Sequence, residues 1–153
     1  MKTIIGVIGG DRASVDECKT AEETGKEIAK RGGVLICGGL GGVMEAACRG
    51  AKSEGGLTIG IIPGFSKSDA NPYVDIPVIT GMSHARNIIV VRSSDAIIAI
   101  GGGYGTLSEI AFALKLEIPV IGISTWEVSP EIRRVTTPKE AVGLAFALSG
   151  PRL

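Results

Sequence analysis

Three times in this chain a short run of aliphatic residues enters a glycine cluster and leaves it in a segment of helical periodicity. Thr3 to Ile8 ends at Gly9-Gly10, Val34 to Cys37 ends at Gly38-Gly39-Leu40-Gly41-Gly42, and Ala96 to Ile100 ends at Gly101-Gly102-Gly103-Tyr104-Gly105. After the first cluster, apolar or small residues recur at Val15, Cys18, Ala21, Gly25, Ile28 and Ala29 with charges between them, the spacing of one buried helix face. Ser14-Val15-Asp16-Glu17 has the Ser-x-x-Glu pattern of a helix start, and Gly32-Gly33 stops that helix. A chain that alternates strand and helix in this way builds a parallel sheet through right-handed crossovers.

The remaining segments extend the alternation. Val43 to Ser53 predicts the second helix, Leu57 to Ile62 a third strand, and Pro63 to Pro72 the longest irregular stretch. A strand near Ile76 to Thr80, a helix from about Ser83 to Val91, the helix Thr106 to Leu116 and the strand Ile118 to Ile123 follow. A loop around Trp126 to Pro138 then leads to a last helix, Lys139 to Leu148. With 44% hydrophobic but only 4% aromatic residues, the core must be made of Ile, Val, Leu and Ala, which suits parallel strands covered on both faces. The expected fold is α/β, a Rossmann-like doubly wound three-layer arrangement with a parallel sheet, and 153 residues suit one domain, 1–153.

Charge excludes some partners. Lys plus Arg equals Asp plus Glu at 16 each, with no run of like charge, so nucleic acid is not expected as a partner. No apolar stretch reaches the roughly 20 residues of a membrane span, and the N-terminus enters a strand pattern directly, so no membrane association and a cytoplasmic address are expected. Cys18, Cys37 and Cys48 lack the spacing of a zinc or redox site and read as small apolar residues, so no metal site is expected.

Ligands of open α/β sheets bind beyond the carboxyl ends of the strands, which is where Gly9, Gly10, Gly38, Gly39 and Gly42 and the 101–105 cluster fall. Glycine lets backbone N–H groups approach an anion closely, and a helix N-terminus adds roughly half a positive charge. A small phosphate-bearing, nucleotide-like ligand is the expected guest. The 101–105 cluster is Gly-x-Gly-x-Gly, not Gly-x-Gly-x-x-Gly, and no Gly-x-x-x-x-Gly-Lys-Ser/Thr occurs, so NAD binding and P-loop nucleotide hydrolysis are disfavoured.

The segment Gly101-Gly102-Gly103-Tyr104-Gly105-Thr106-Leu107-Ser108-Glu109 resembles the Pro-Gly-Gly-x-Gly-Thr-x-x-Glu signature of the LONELY GUY phosphoribohydrolases, long mislabelled lysine decarboxylases. Met82-Ser83-His84-Ala85-Arg86-Asn87 is similar to that family's Met-x-x-Arg-Lys segment, and Gly38 to Met44 and Gly60-Ile61-Ile62-Pro63 extend the likeness. The resemblance implies cleavage of the N-glycosidic bond of nucleoside 5′-monophosphates, with Arg86 and Glu109 as catalytic residues. Glu109 would steady the ribosyl cation or activate water, Arg86 would orient the substrate, and Met82, Gly102, Gly103, Gly105 and Thr106 would complete the ligand and phosphate site. Two positions depart from the pattern: Gly101 replaces the proline and Asn87 the lysine. Such variants look like the branch of the superfamily that includes molybdenum cofactor carrier proteins, where a similar crevice holds a pterin phosphate without turnover. No cofactor is then required, and the bound molecule is expected to be an AMP-like nucleotide or the molybdenum cofactor. Lysine decarboxylation has no pyridoxal phosphate scaffold here, and a DNA-binding role like that of the DprA proteins lacks a basic face.

Several of these residues have a second reading. Thr106-x-x-Glu109 is also the spacing of a capping box, and Arg86 is equally compatible with a surface ion pair. His84, the one histidine, reads as a hydrogen-bonded loop residue, and Asp11 and Arg12 follow the first glycine turn, with Asp11 serving either that turn or a sugar hydroxyl or base. Tyr104 is placed to stack on a base and Trp126 to lie at a subunit contact, or both simply pack. Ile110 to Leu116 has more apolar positions than one helix face uses, so a homo-oligomer, dimer or tetramer, is expected.

Overall fold

The computed structural model describes residues 1–150. Seven parallel strands form one sheet: β1 (Ile4–Gly9), β2 (Val34–Cys37), β3 (Leu57–Ile62), β4 (Ile76–Ile79), β5 (Ala96–Ile100), β6 (Val120–Ile123) and β7 (Arg133–Arg134), in the order β4-β3-β2-β1-β5-β6-β7. From β1 the chain adds strands outward to β4, then returns to β5 on the other side of β1. The β1/β5 boundary is therefore the topological switch point, and Gly9 pairs with Ile100 across it. Both partners end there in a glycine turn.

The helices are α1 (Val15–Lys30), α2 (Val43–Ser53), α3 (Asn87–Arg92), α4 (Tyr104–Lys115) and α5 (Pro138–Leu148). Alternate residues along each strand feed the two faces. Ile5, Val7, Leu35, Cys37, Ile98, Ile100 and Ile121 pack with buried residues of α1, α2 and α5; Ile8, Ile36, Ile61, Ile97, Ala99 and Val120 pack with those of α3 and α4. This is the α/β, doubly wound three-layer arrangement expected. Cys37 and Cys48 are buried, with sulfurs 3.5 Å apart, and Cys18 is half-buried against the same core. No described helix is long and apolar enough to cross a membrane.

Local differences have local causes. Ser14 caps α1 as its side chain accepts from Glu17 N at 3.1 Å. The expected helix from Ser83 instead starts as a 3-10 turn, Ser83–Arg86, entered through a left-handed Ser83 (φ 53°), and becomes α-helical only at Asn87. The Trp126–Pro138 loop contains β7, whose two exposed arginines carry no apolar signal. Pro77 sits in β4, an edge strand, where its missing N–H does no harm.

Candidate functional site

At the switch point the ends of β1, β2 and β5 and the turns after them enclose a crevice of about 260 Å³. Its apolar floor is Val7, Ile8, Leu40 and Met44; its polar wall is Asp11, His84, Arg86, Asn87, Thr106 and Glu109; Gly9, Gly10, Gly38, Gly103, Tyr104 and Gly105 complete it. Small-molecule sites run upward from about 300 Å³, so the crevice suits a ligand that projects from its open mouth.

The three glycine turns are not equivalent. α1 satisfies its own first turn through Ser14, whereas the N-caps of α2 and α4 are Gly42 and Gly103, which offer no side-chain acceptor. The α4 N-terminus thus reaches the crevice without a side-chain cap, the arrangement that favours an anion, while α2 lines it through Met44. Gly42 adopts φ 61° and lies so close to the Gly10 and Asp11 backbone that a Cβ would collide with the Gly10 carbonyl oxygen. Val43 N donates to that same oxygen at 3.0 Å, which ties the first turn to the second.

Arg86 is buried and tightly held. Its Nε donates to Ile61 O at 2.9 Å, one terminal nitrogen to Gly38 O at 3.3 Å and the other to Asn87 Oδ1. Asn87 in turn donates to Ser108 Oγ at 3.3 Å, and Ser108 donates to Gly105 O at 2.6 Å. Asn87 therefore fixes the guanidinium to the first turns of α4, a function its side-chain amide performs and a lysine ammonium, which has no acceptor, would not. Burial lowers the Arg86 pKa, and the Glu109 carboxyl, when ionised, opposes that.

Glu109 is also buried, on the crevice side of α4. Desolvation pushes its pKa up to about 8, against the pull of Arg86, and no ion pair within 4 Å joins the two among the described residues. A carboxyl that holds a proton near neutral pH beside a fixed cation is suited to exchange that proton with a ligand. The capping-box alternative does not hold. α4 begins at Tyr104, so Thr106 is the third helical residue and Gly103, not Thr106, is the N-cap.

Of the residues singled out by sequence, Gly9, Gly10, Gly38, Arg86, Gly103, Gly105, Thr106 and Glu109 line the crevice. Gly39 backs onto Ile62, Gly42 onto the Gly10–Asp11 backbone and Gly102 onto the Thr106 side chain, while Met82 is exposed outside the crevice. Asp11, His84 and Tyr104 are lining residues as well. Leu40, Met44 and Asn87 were not assigned to the ligand by sequence; Leu40 lies inside the second glycine cluster and Met44 two residues after it, and that placement is the signal that marks them.

Known proteins resemble the chain at three levels. The SLOG cluster4 family model matches residues 2–146. The structure of the molybdenum cofactor binding protein from Rippkaea orientalis superposes with a TM-score of 0.93 at 39% identity, covering 98% of this chain and 99% of that one. The molybdenum cofactor carrier protein from Chlamydomonas reinhardtii superposes with a TM-score of 0.89 at 36% identity, covering 97% and 98%. Cytokinin riboside 5′-monophosphate phosphoribohydrolase LOG from Oryza sativa subsp. japonica is 35% identical over 109 residues, 69% of this chain but only 44% of the rice protein.

Proposed function

The chain belongs to the SLOG cluster4 family, and from that premise we propose that its crevice binds a small phosphate-bearing ligand of nucleotide type, with the molybdenum cofactor as candidate cargo. The observation that carries this reading is the α4 N-terminus, which has no side-chain cap and lines the crevice through Gly103, Gly105 and Thr106, together with the buried Arg86 at the switch point. The near-full-length likeness to the Rippkaea and Chlamydomonas proteins supports the pterin branch of it. The residues present fit the organic part of such a cargo: backbone N–H groups and Arg86 for phosphate, with Leu40 and Met44 as apolar lining beside them. Among the described residues no group of three or more His, Cys, Asp or Glu side chains is placed to hold a free metal ion.

A second reading rests on Glu109. Its raised pKa, with Arg86 opposite, suits proton exchange with a nucleoside 5′-monophosphate whose N-glycosidic bond is cleaved by water to free base and ribose 5-phosphate. In that reaction Glu109 gives its proton to the departing base, its carboxylate then steadies the ribosyl cation or activates the water and regains a proton from it, and Arg86 orients the substrate. The likeness to the rice enzyme supports it over part of that protein's length.

One experiment separates the two. The protein is incubated with AMP and free base is followed by chromatography, with Glu109→Ala in parallel. Base release that is lost in the variant establishes the hydrolase; no release, with AMP or molybdenum cofactor still raising the melting temperature, establishes binding alone. The same proposal takes residues 1–153 as one binding unit, cytoplasmic and homo-oligomeric, needing no further cofactor and no nucleic acid.

A further inference from the structure

Tyr104 is the first residue of α4 and lines the crevice, yet it is 83% exposed. It is not a loose side chain. Its ring stacks on Trp126 with centroids 6.1 Å apart and planes inclined by 26°. Trp126 lies after β6 and packs partly against the core on the α3/α4 face, and its indole N–H donates to Gly103 O at 3.1 Å. The preceding Thr125 Oγ1 donates to Gly101 O at 2.6 Å. The segment after β6 thus grips the third glycine turn at two carbonyls and fixes the indole beneath the tyrosine.

The tyrosine ring is therefore held by its stack on Trp126 and otherwise remains exposed, at a residue that lines the crevice. A ring held this way gains little from its own burial, but it is preorganised to receive a flat partner. Tyr104 belongs to the first turn of α4, so a ligand whose phosphate rests on that turn lies within reach of the ring. We infer that the Tyr104–Trp126 pair is a stacking platform for the planar heterocycle of the ligand, purine or pterin, so that Tyr104 selects for the ring while the α4 N-terminus holds the phosphate. This rests on the phosphate-ligand reading above. It assigns Tyr104 to ligand contact and Trp126 to positioning, through the ring it supports.

The test compares each ringed ligand with its ringless part by isothermal titration: AMP against ribose 5-phosphate, and neopterin monophosphate against glycerol phosphate. Stacking of a base on an aromatic side chain changes affinity by about tenfold or more, so the wild type should prefer a ringed member by at least that factor. The pair that shows the preference identifies the heterocycle. Tyr104→Ala should abolish the preference and leave the ringless ligand unchanged, and Tyr104→Phe should keep it. Trp126 is the only tryptophan, so its fluorescence should respond to the ringed ligand in the wild type. A wild type that binds ringed and ringless ligands equally overturns the platform. So does a Tyr104→Ala protein that keeps the preference, that weakens both members alike, or that changes only in oligomeric state. If none of the four ligands binds the wild type, the phosphate-ligand reading fails first and the platform falls with it, a result distinct from the loss of preference alone.

Discussion

Glu109 and Asn87 carry the side-chain consequences of the site. The Glu109 carboxyl titrates near 4.5 when free and is pushed up to about 8 by burial. Below the free value both folded and unfolded chains hold the proton. Between the two values the unfolded chain has released it and the folded chain has not, so stability falls as pH rises and levels off above about pH 8; the total is on the order of a few kcal/mol. Glu109→Gln removes that fall, so its melting temperature should gain on the wild type progressively from pH 5 to about pH 8 and hold that gain at pH 9. Parallel melting curves across that range would show that the carboxyl does not titrate late. Asn87 is as consequential, because its amide links Arg86 to Ser108. Asn87→Ala leaves buried polar groups short of partners and should cost about 1–3 kcal/mol in urea unfolding, while phosphate affinity by titration calorimetry weakens as Arg86 loses its fixed pose.

Elements were legible where one signal dominated. β5, with every residue buried, reads as a covered strand because Ala96–Ile100 has no polar position, and α1 reads as a helix because its cap and its period agree. The site's location followed from the same pattern, since glycine turns at three strand ends name the crevice before any distance is known. What was not legible depended on neighbours. β7 exists through pairing with β6, and the start of α4 at Tyr104 rather than Thr106 turned an apparent capping box into a crevice carboxyl. The approach of α1 to α2 is another such property: a Cβ on Gly25 would strike the Ala47 carbonyl, and one on Gly50 the Glu22 carbonyl. Nothing in the two glycines' sequence positions says that they meet a facing helix. Gly50→Ala should therefore push the helices apart and lower stability by about 1–3 kcal/mol, measured by chemical unfolding. Arg86 and Glu109 lie on other elements, so ligand affinity per folded molecule should change far less than stability; an equal loss in both would mean that α2 transmits the strain to its N-terminus in the crevice.

At the scale of the molecule the two helical layers are unequal. α1, α2 and α5, of 16, 11 and 11 residues, cover one face of the sheet, while α3 and α4, of 6 and 12, cover the other. The apolar run Ile110 to Leu116 is divided by this geometry: Ile110 and Ala113 are buried, Leu114 and Leu116 pack partly against the core, and Phe112 remains 41% exposed. Much of the apolar excess read from sequence is thus used within one chain. Phe112 is the part left over, on the side of the molecule with the thinner cover. A second copy packed through a self-complementary contact would cover Phe112. The expected outcome in sedimentation velocity is a species of two or four chains for the wild type, shifted toward the monomer by Phe112→Lys, which places a charge at that contact. Tyr104 and Glu109 are unchanged in this variant, so a monomer that still binds ligand would place the association surface outside the site, whereas loss of binding on dissociation would mean that a neighbouring copy completes the crevice. A wild type that sediments as a monomer at tens of micromolar would mean that the thin layer is tolerated in solvent and that Phe112 has no partner.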